Sequence, residues 1–218
     1  LVSAATRGHP GCIRHLVDLN ANVNSKCHGR SPMIGAVLYG HSECVQLLFE
    51  LGSNTTDDFD MMKDSPTQGY SPLMIAAGKS PTESLRVLST SVVNVDMRTD
   101  KGITPFWCAL HSGNVENMRL LAGLGADINQ EYNNQTPIMY AAREGRSETI
   151  RLLTGLGANL EVRDEYGYSP LMIAAKNDHG LCVRFLLDLG VNADEWCLPI
   201  FAMLHAGLGD CYASTRAM

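Results

Sequence analysis

A hydroxyl residue followed by proline and an apolar run occurs five times in this chain, at Ser31-Pro32, Ser71-Pro72, Thr104-Pro105, Thr136-Pro137 and Ser169-Pro170. Successive prolines stand 40, 33, 32 and 33 residues apart. A Ser or Thr oxygen can accept from the unpaired N–H groups of a first helical turn, and proline at the first helical position has its φ preset and no N–H to satisfy. Each dipeptide therefore predicts a helix start. Helix starts recurring at a nearly fixed period predict a stacked array of helical units.

The residues after each proline share one layout. Pro170 leads to Leu171-Met172-Ile173-Ala174-Ala175, then Asp178-His179, then Cys182-Val183-Arg184-Phe185-Leu186-Leu187 and Gly190. Pro32 and Pro137 lead through the same order to Gly52 and Gly157. Two short antiparallel helices and a connecting loop are predicted for every unit. The small pairs Ala76-Ala77, Ala141-Ala142 and Ala174-Ala175 let neighbouring first helices approach closely, the leucines of the second helix fill the space between layers, and the closing glycine suits a left-handed cap. Each unit exposes apolar faces until its neighbours stack on it.

These residues resemble the ankyrin repeats, whose pattern is an acidic or Asn turn, Gly-x-Thr-Pro-Leu-His-x-Ala-Ala, Gly-His, Val-Val-x-Leu-Leu-Leu and Gly-Ala-Asp. Asp164-Glu165-Tyr166-Gly167-Tyr168-Ser169-Pro170-Leu171 is close to the first half, and Leu156-Gly157-Ala158-Asn159 and Leu124-Gly125-Ala126-Asp127 to the end. The resemblance implies an all-α repeat solenoid of stacked helix-turn-helix units with hairpin-like tips, about five full repeats plus a partial unit at each end. Taken as one domain over 1–218, the units fall near 1–28, 29–68, 69–101, 102–133, 134–166, 167–195 and 196–218. The chain opens inside a first helix and stops inside a second one, so a fragment of a longer protein is expected. Its Gly-His-x-x-Cys-Val and Pro-Leu-Met wording resembles expanded protist ankyrin families, in some of which such arrays are attached to protein-kinase domains.

Two departures from the family pattern carry expectations. The histidine that ties neighbouring hairpins in the family is replaced by Ile34, Met74, Trp107, Met139 and Met172, so apolar packing is expected in place of that ladder. The second unit gains an insertion near residues 55–65, has Ser80-Pro81 where others have Gly-His, and is predicted to be the least stable layer. The inserted Phe59, Met61 and Met62 could form a docking finger or a tolerated loop, and both roles stay open.

Composition narrows the chemistry. The net charge is −6, and basic residues alternate with acidic ones along one edge, whereas phosphate binding wants a stripe of one sign, so no nucleic-acid partner is expected. No apolar run approaches the roughly 18 residues of a membrane span. A monomeric, cytoplasmic or nuclear protein is expected. Phosphate-cradling, dinucleotide, zinc-protease and serine-hydrolase motifs are all missing, so no enzyme and no cofactor is predicted.

Register accounts for most of the seven cysteines. Cys12, Cys44, Cys182 and Cys211 share one position on the second helix, where small half-buried side chains are expected. Cys108 and His111 are spaced for two metal ligands, yet structural zinc wants four and no compatible second pair exists. His9, His41 and His179 share the start of the second helix, where local hydrogen bonding is expected.

Partners of ankyrin arrays usually meet the hairpin tips and the C-terminal ends of the first helices. Transferred by register, that surface includes Tyr39, then Tyr70, then Lys101 and His111. Further along it comprises Tyr132, Arg143 and Glu144, then Glu165, Tyr166, Tyr168 and Lys176. Tyrosine offers a large, stiff contact area with a polar tip, so these positions predict a surface for a protein partner. The resemblance thus implies an interaction module or scaffold; a regulatory arm of a larger enzyme and a structural spacer are the alternatives.

Overall fold

The computed structural model describes residues 1–55, 69–79, 81–90 and 94–191. Residues 56–65 of the insertion, Ser80, Val92 and the terminal unit with Cys197, His205 and Cys211 lie outside the described residues. Among the described residues there are twelve helices and no strands beyond isolated bridges. They are α1 (Val2–Thr6), α2 (Pro10–Asp18), α3 (Pro32–Leu38), α4 (Ser42–Glu50), α5 (Pro72–Lys79), α6 (Thr82–Ser89), α7 (Pro105–Ser112), α8 (Val115–Gly123), α9 (Pro137–Arg143), α10 (Ser147–Gly155), α11 (Pro170–Lys176) and α12 (Gly180–Asp188). The architecture is a helical repeat solenoid built in two compact units, Leu1–Asp127 and one beginning at Ile128.

The five hydroxyl-proline pairs all start helices, at α3, α5, α7, α9 and α11. Ser31, Ser71, Thr104 and Ser169 accept from the backbone N–H groups of Ile34, Met74, Trp107 and Met172 at 3.3–3.4 Å. Thr136 departs from that expectation: it stands at the N-cap of α9, but its buried Oγ1 has no partner. A capping oxygen is worth about 1 kcal/mol. Thr104→Ala is therefore expected to cost about 1 kcal/mol in denaturant unfolding and Thr136→Ala clearly less, although the two sequences look alike.

In the first unit, first helices stack in the order α1, α3, α5, α7 and second helices in the order α2, α4, α6, α8. In the second unit, α9 packs on α11 and α10 on α12. The core is the seam between the two helix layers, lined by Ile34, Leu48, Leu85, Trp107 and Leu110 in one unit and by Met139, Leu153 and Leu186 in the other. All five residues at the family's histidine position are buried, so apolar packing does fill it. The alanine pairs are buried as well. Close approach is most visible at Gly35, where a Cβ would come within 2.6 Å of Thr6 Oγ1 on the neighbouring first helix.

The second helices α4, α8, α10 and α12 end as expected, with Gly52, Gly125, Gly157 and Gly190 at positive φ. At α10 the N–H of Gly157 bonds the Thr154 carbonyl and that of Ala158 bonds the Leu153 carbonyl, with Gly157 at φ +87°. This is the paired arrangement that satisfies a helix's last carbonyls. Asn20 takes the glycine's place after α2, at φ +64°.

Two recurring kinds of hydrogen bond join neighbouring repeats. Side-chain oxygens of Asn24, Asp96 and Asn129 accept from the backbone N–H groups of Asn54, Asp127 and Asn159 at 2.8–3.0 Å. His41 and His179, each the N-cap of a second helix, place Nε2 at 3.1 Å from the Thr6 carbonyl and 2.8 Å from the Arg143 carbonyl. A carbonyl only accepts, so Nε2 carries the proton in both. These histidines thus reach back to the preceding unit, beyond the local role expected of them, and supply a tie that the missing family histidine would otherwise make. Pro81 occupies the same place on α6 and packs its ring against Gly40.

Candidate functional site

The tips are hairpin-like. Cys27 pairs with Arg30 and Tyr132 with Gln135 across two-residue turns. The central residues His28 and Gly29, and Asn133 and Asn134, all have positive φ, the geometry of the turn that best matches strand twist. Wider loops close at Thr99–Ile103 and Asp164–Tyr168. In the second of these, Asp164 Oδ1 accepts from the N–H groups of Tyr166 and Tyr168 at 3.0 and 2.8 Å, so one carboxylate fixes the backbone that presents both rings.

In the first unit, Tyr39 follows α3 and is 57% exposed. Tyr70 is half-buried, and its hydroxyl reaches the Cys108 thiol. Lys101 is exposed on its tip, and exposed His111 lies against the buried Trp107 ring, with centroids 5.5 Å apart. Cys108 and His111 thus face different surroundings, one turned into the core and the other out to solvent. Among the described residues no group of three or more His, Cys, Asp or Glu side chains could hold a metal ion.

The second unit brings more of the expected residues together. Tyr166, 75% exposed, lies 6.4 Å from the Tyr168 ring, and Lys176 Nζ stands 4.7 Å over Tyr168. Arg143 is paired with Glu144 at 3.2 Å and also rests over Tyr140, 5.3 Å from its centroid. Arg146 approaches the same ring at 5.5 Å. Glu165 is exposed beside Tyr166, and Tyr132 is half-buried on its own tip. The sequence pattern did not single out Tyr140 or Arg146. Their spacing from Arg143 on and just after α9 is the signal that could have found them.

The cysteines divide by environment. Cys44 and Cys182 are buried, and burial raises both thiols above the ordinary value, with Glu43 adding to the rise at Cys44. Burial pushes Cys108 up to about 12 against the opposing hydrogen bond from Tyr70. Cys12 is exposed, contrary to the half-buried side chain expected of its register. On α8 the same register holds Asn117, which donates to the Ala76 and Ala77 carbonyls of the neighbouring repeat. Thiolate is the reactive form. Maleimide treatment of the native chain should label Cys12 and Cys27 within minutes and spare Cys44, Cys108 and Cys182 until denaturant is added, as read by peptide mass mapping.

Among the described residues no helix is long and apolar enough to cross a membrane. What the surface offers is an array of small rims, with rings and charges held on rigid helix ends.

Comparison with known proteins agrees with this geometry. The family model for ankyrin repeats in three copies matches residues 1–60, 56–132 and 129–195. The chain is similar to an ankyrin repeat and KH domain-containing protein, mask-1, of Caenorhabditis elegans, at 28% identity over 129 residues, 58% of this chain and 5% of that protein. It is also similar to XBOS32 of Oryza sativa subsp. japonica, described as a probable E3 ubiquitin-protein ligase, at 29% identity over 131 residues, 59% of this chain and 24% of the other. The matched parts are thus small fractions of both relatives. Among solved structures, the ankyrin repeat domain of Bcl-3, a member of the IkappaB family, superimposes with a TM-score of 0.76 at 21% identity, covering 88% of this chain and 86% of that one. The recurring helix pairs, their tips and the family match together make this chain a member of the ankyrin repeat family, whose repeats are non-catalytic modules of protein–protein interaction.

Proposed function

We propose that the chain is the protein-binding segment of a scaffold or regulator, and that a protein partner meets its tips and first-helix ends. The observation that carries this reading is the group formed by Tyr166, Tyr168 and Lys176. Two rings and a cation stand on a loop whose backbone is already fixed by Asp164, with one ring three-quarters exposed. Core packing does not call for an aromatic side chain so exposed, and a preordered aromatic contact loses little conformational freedom on association. Tyr39, Tyr70, Lys101, His111, Tyr132, Arg143, Glu144 and Glu165 complete the surface on the rims of their own units. The protein acts by presentation, without catalysis or cofactor, as a monomer in the cytoplasm or nucleus.

A pull-down from a lysate of the source cells, run with this chain beside a Tyr132→Ala/Tyr166→Ala/Tyr168→Ala version, tests the reading. The expected result is a protein retained by the first and lost by the second. Identical retention by both would overturn it.

The small fraction of mask-1 and XBOS32 that the chain matches supports a second reading, in which this array is the targeting arm of a larger multidomain protein. Binding through the rims is common to both readings.

A further inference from the structure

The seams between neighbouring repeats of the first unit are not held alike. Where α3 and α4 meet α1 and α2, His41 Nε2 donates to the Thr6 carbonyl, Asn24 accepts from the Asn54 N–H, and a Cβ on Gly35 would come within 2.6 Å of Thr6 Oγ1. Where α7 and α8 meet α5 and α6, Asn117 donates to the Ala76 and Ala77 carbonyls at 3.3 and 3.0 Å, Asp96 accepts from the Asp127 N–H, and Gly78 lies against Cys108. Both seams thus carry directional bonds at two places, at the first helices and in the loops after the second helices. Each fixes the angle between its repeats.

The seam between α3–α4 and α5–α6 is built differently. The register of His41 holds Pro81, whose ring has no proton to donate and meets Gly40 by apolar contact. The register of Asn117 holds Ser84, whose hydroxyl lies 3.0 Å from that of Ser42 on the neighbouring second helix, where Asn117 instead reaches carbonyls of a first helix. The loop register of Asn24 and Asn129 holds Thr56. The prolines that open α3 and α5 stand 40 residues apart, against 32 or 33 for the others, so the covalent path across this seam is the longest of the set. What remains is the packing of α3 on α5 and of α4 on α6. Apolar attraction scales with the area covered and has no preferred direction, so it opposes separation of these helices but resists rocking only weakly.

We propose that this seam is a hinge, about which α1–α4 and α5–α8 rock as two bodies that meet at Gly40 and Pro81. Each body is tied internally, so the motion is confined to one seam and differs from a general loosening of the array. Tyr39, next to Gly40, travels with the first body, and Lys101 and His111 travel with the second. Rocking changes the distance between these rims. The first unit therefore offers a surface whose curvature an occupant can set, and the hinge exists whatever that occupant is. The missing tie can be restored in place, because Gly8 and Gly145 lie beneath the rings of His41 and His179, and Gly40, at φ +73°, offers the same bare backbone to position 81.

The test is the residual dipolar coupling of backbone N–H groups in the 218-residue chain, weakly aligned in a neutral gel. Couplings from α1–α4 should fit one alignment tensor and those from α5–α8 another of different magnitude, as two bodies in relative motion give. Pro81→His, which restores the donor over Gly40, should bring both sets onto one tensor. His41→Pro is the converse variant and should add a second break, between α1–α2 and α3–α4. One tensor for all eight helices in the native chain would overturn the proposal. So would a native break that falls at the seam tied by His41 or at the seam tied by Asn117. Two tensors that persist in a Pro81→His chain with a native melting transition would overturn the assignment of the hinge to the missing tie. Should either variant melt early, the couplings of the native chain decide alone.

Discussion

Replacing Trp107 with alanine is expected to lower the unfolding free energy by about 3–5 kcal/mol, the usual range for losing a fully buried large aromatic side chain. Trp107 is 1% exposed and sits on α7, whose packing partner α5 approaches so closely that a Cβ on Gly78 would come within 3.3 Å of the Cys108 carbonyl oxygen. Such a seam cannot collapse around the lost indole, so the cavity persists and the upper part of the range applies. With a urea slope of about 1–3 kcal/mol per M, the midpoint should fall by at least about 1 M. Repeat arrays gain stability from neighbour to neighbour, so the loss should be concentrated in the first unit, with hydrogen exchange accelerated across α5 to α8. An unchanged midpoint would place Trp107 outside the core.

Gly145→Ala is expected to cost about 2–3 kcal/mol through two separable effects. Gly145 has φ +67°, which alanine adopts at a cost of about 1–2 kcal/mol. A Cβ there would also stand 2.6 Å from His179 Nδ1 and 2.7 Å from Cε1, forcing the ring away and breaking its 2.8 Å bond to the Arg143 carbonyl, worth about 1 kcal/mol. Gly157→Ala separates the two, because Gly157 has φ +87° with open space where the Cβ would go. Thermal melts should show Gly145→Ala clearly below Gly157→Ala. Equal melting points would mean that the His179 tie contributes nothing.

The helices were legible because their signals are local. A hydroxyl, a proline and an apolar run act within one turn, so period and starts could be read directly. The same locality explains the miss at Thr136, whose side chain has the right chemistry but does not aim at the first-turn N–H groups; a rotamer is chosen by neighbours that sequence does not reveal. The ties between repeats were not read, although both leave periodic traces. Asn24, Asp96 and Asn129 precede their partners by 30 or 31 residues, and Gly8 and Gly145 stand 33 and 34 residues before the histidines that cover them. At the candidate site, register gave exposure correctly for Tyr39, Tyr166 and Lys176. It did not give the stacking of Lys176 on Tyr168, because the lysine ends α11 and the tyrosine lies on the tip before it, so the two meet only once the loop is folded.

The central claim is that the rim tyrosines face a partner and contribute little to packing. The most direct measurement is the affinity of the captured partner for Tyr132→Ala/Tyr166→Ala, taken with the melting curve of the same variant. The account predicts binding weakened about tenfold or more, as for aromatic hot spots, with the melting transition nearly unchanged. Unchanged affinity, or a loss of stability matching the loss of binding, would contradict it and assign these rings to the packing of the array.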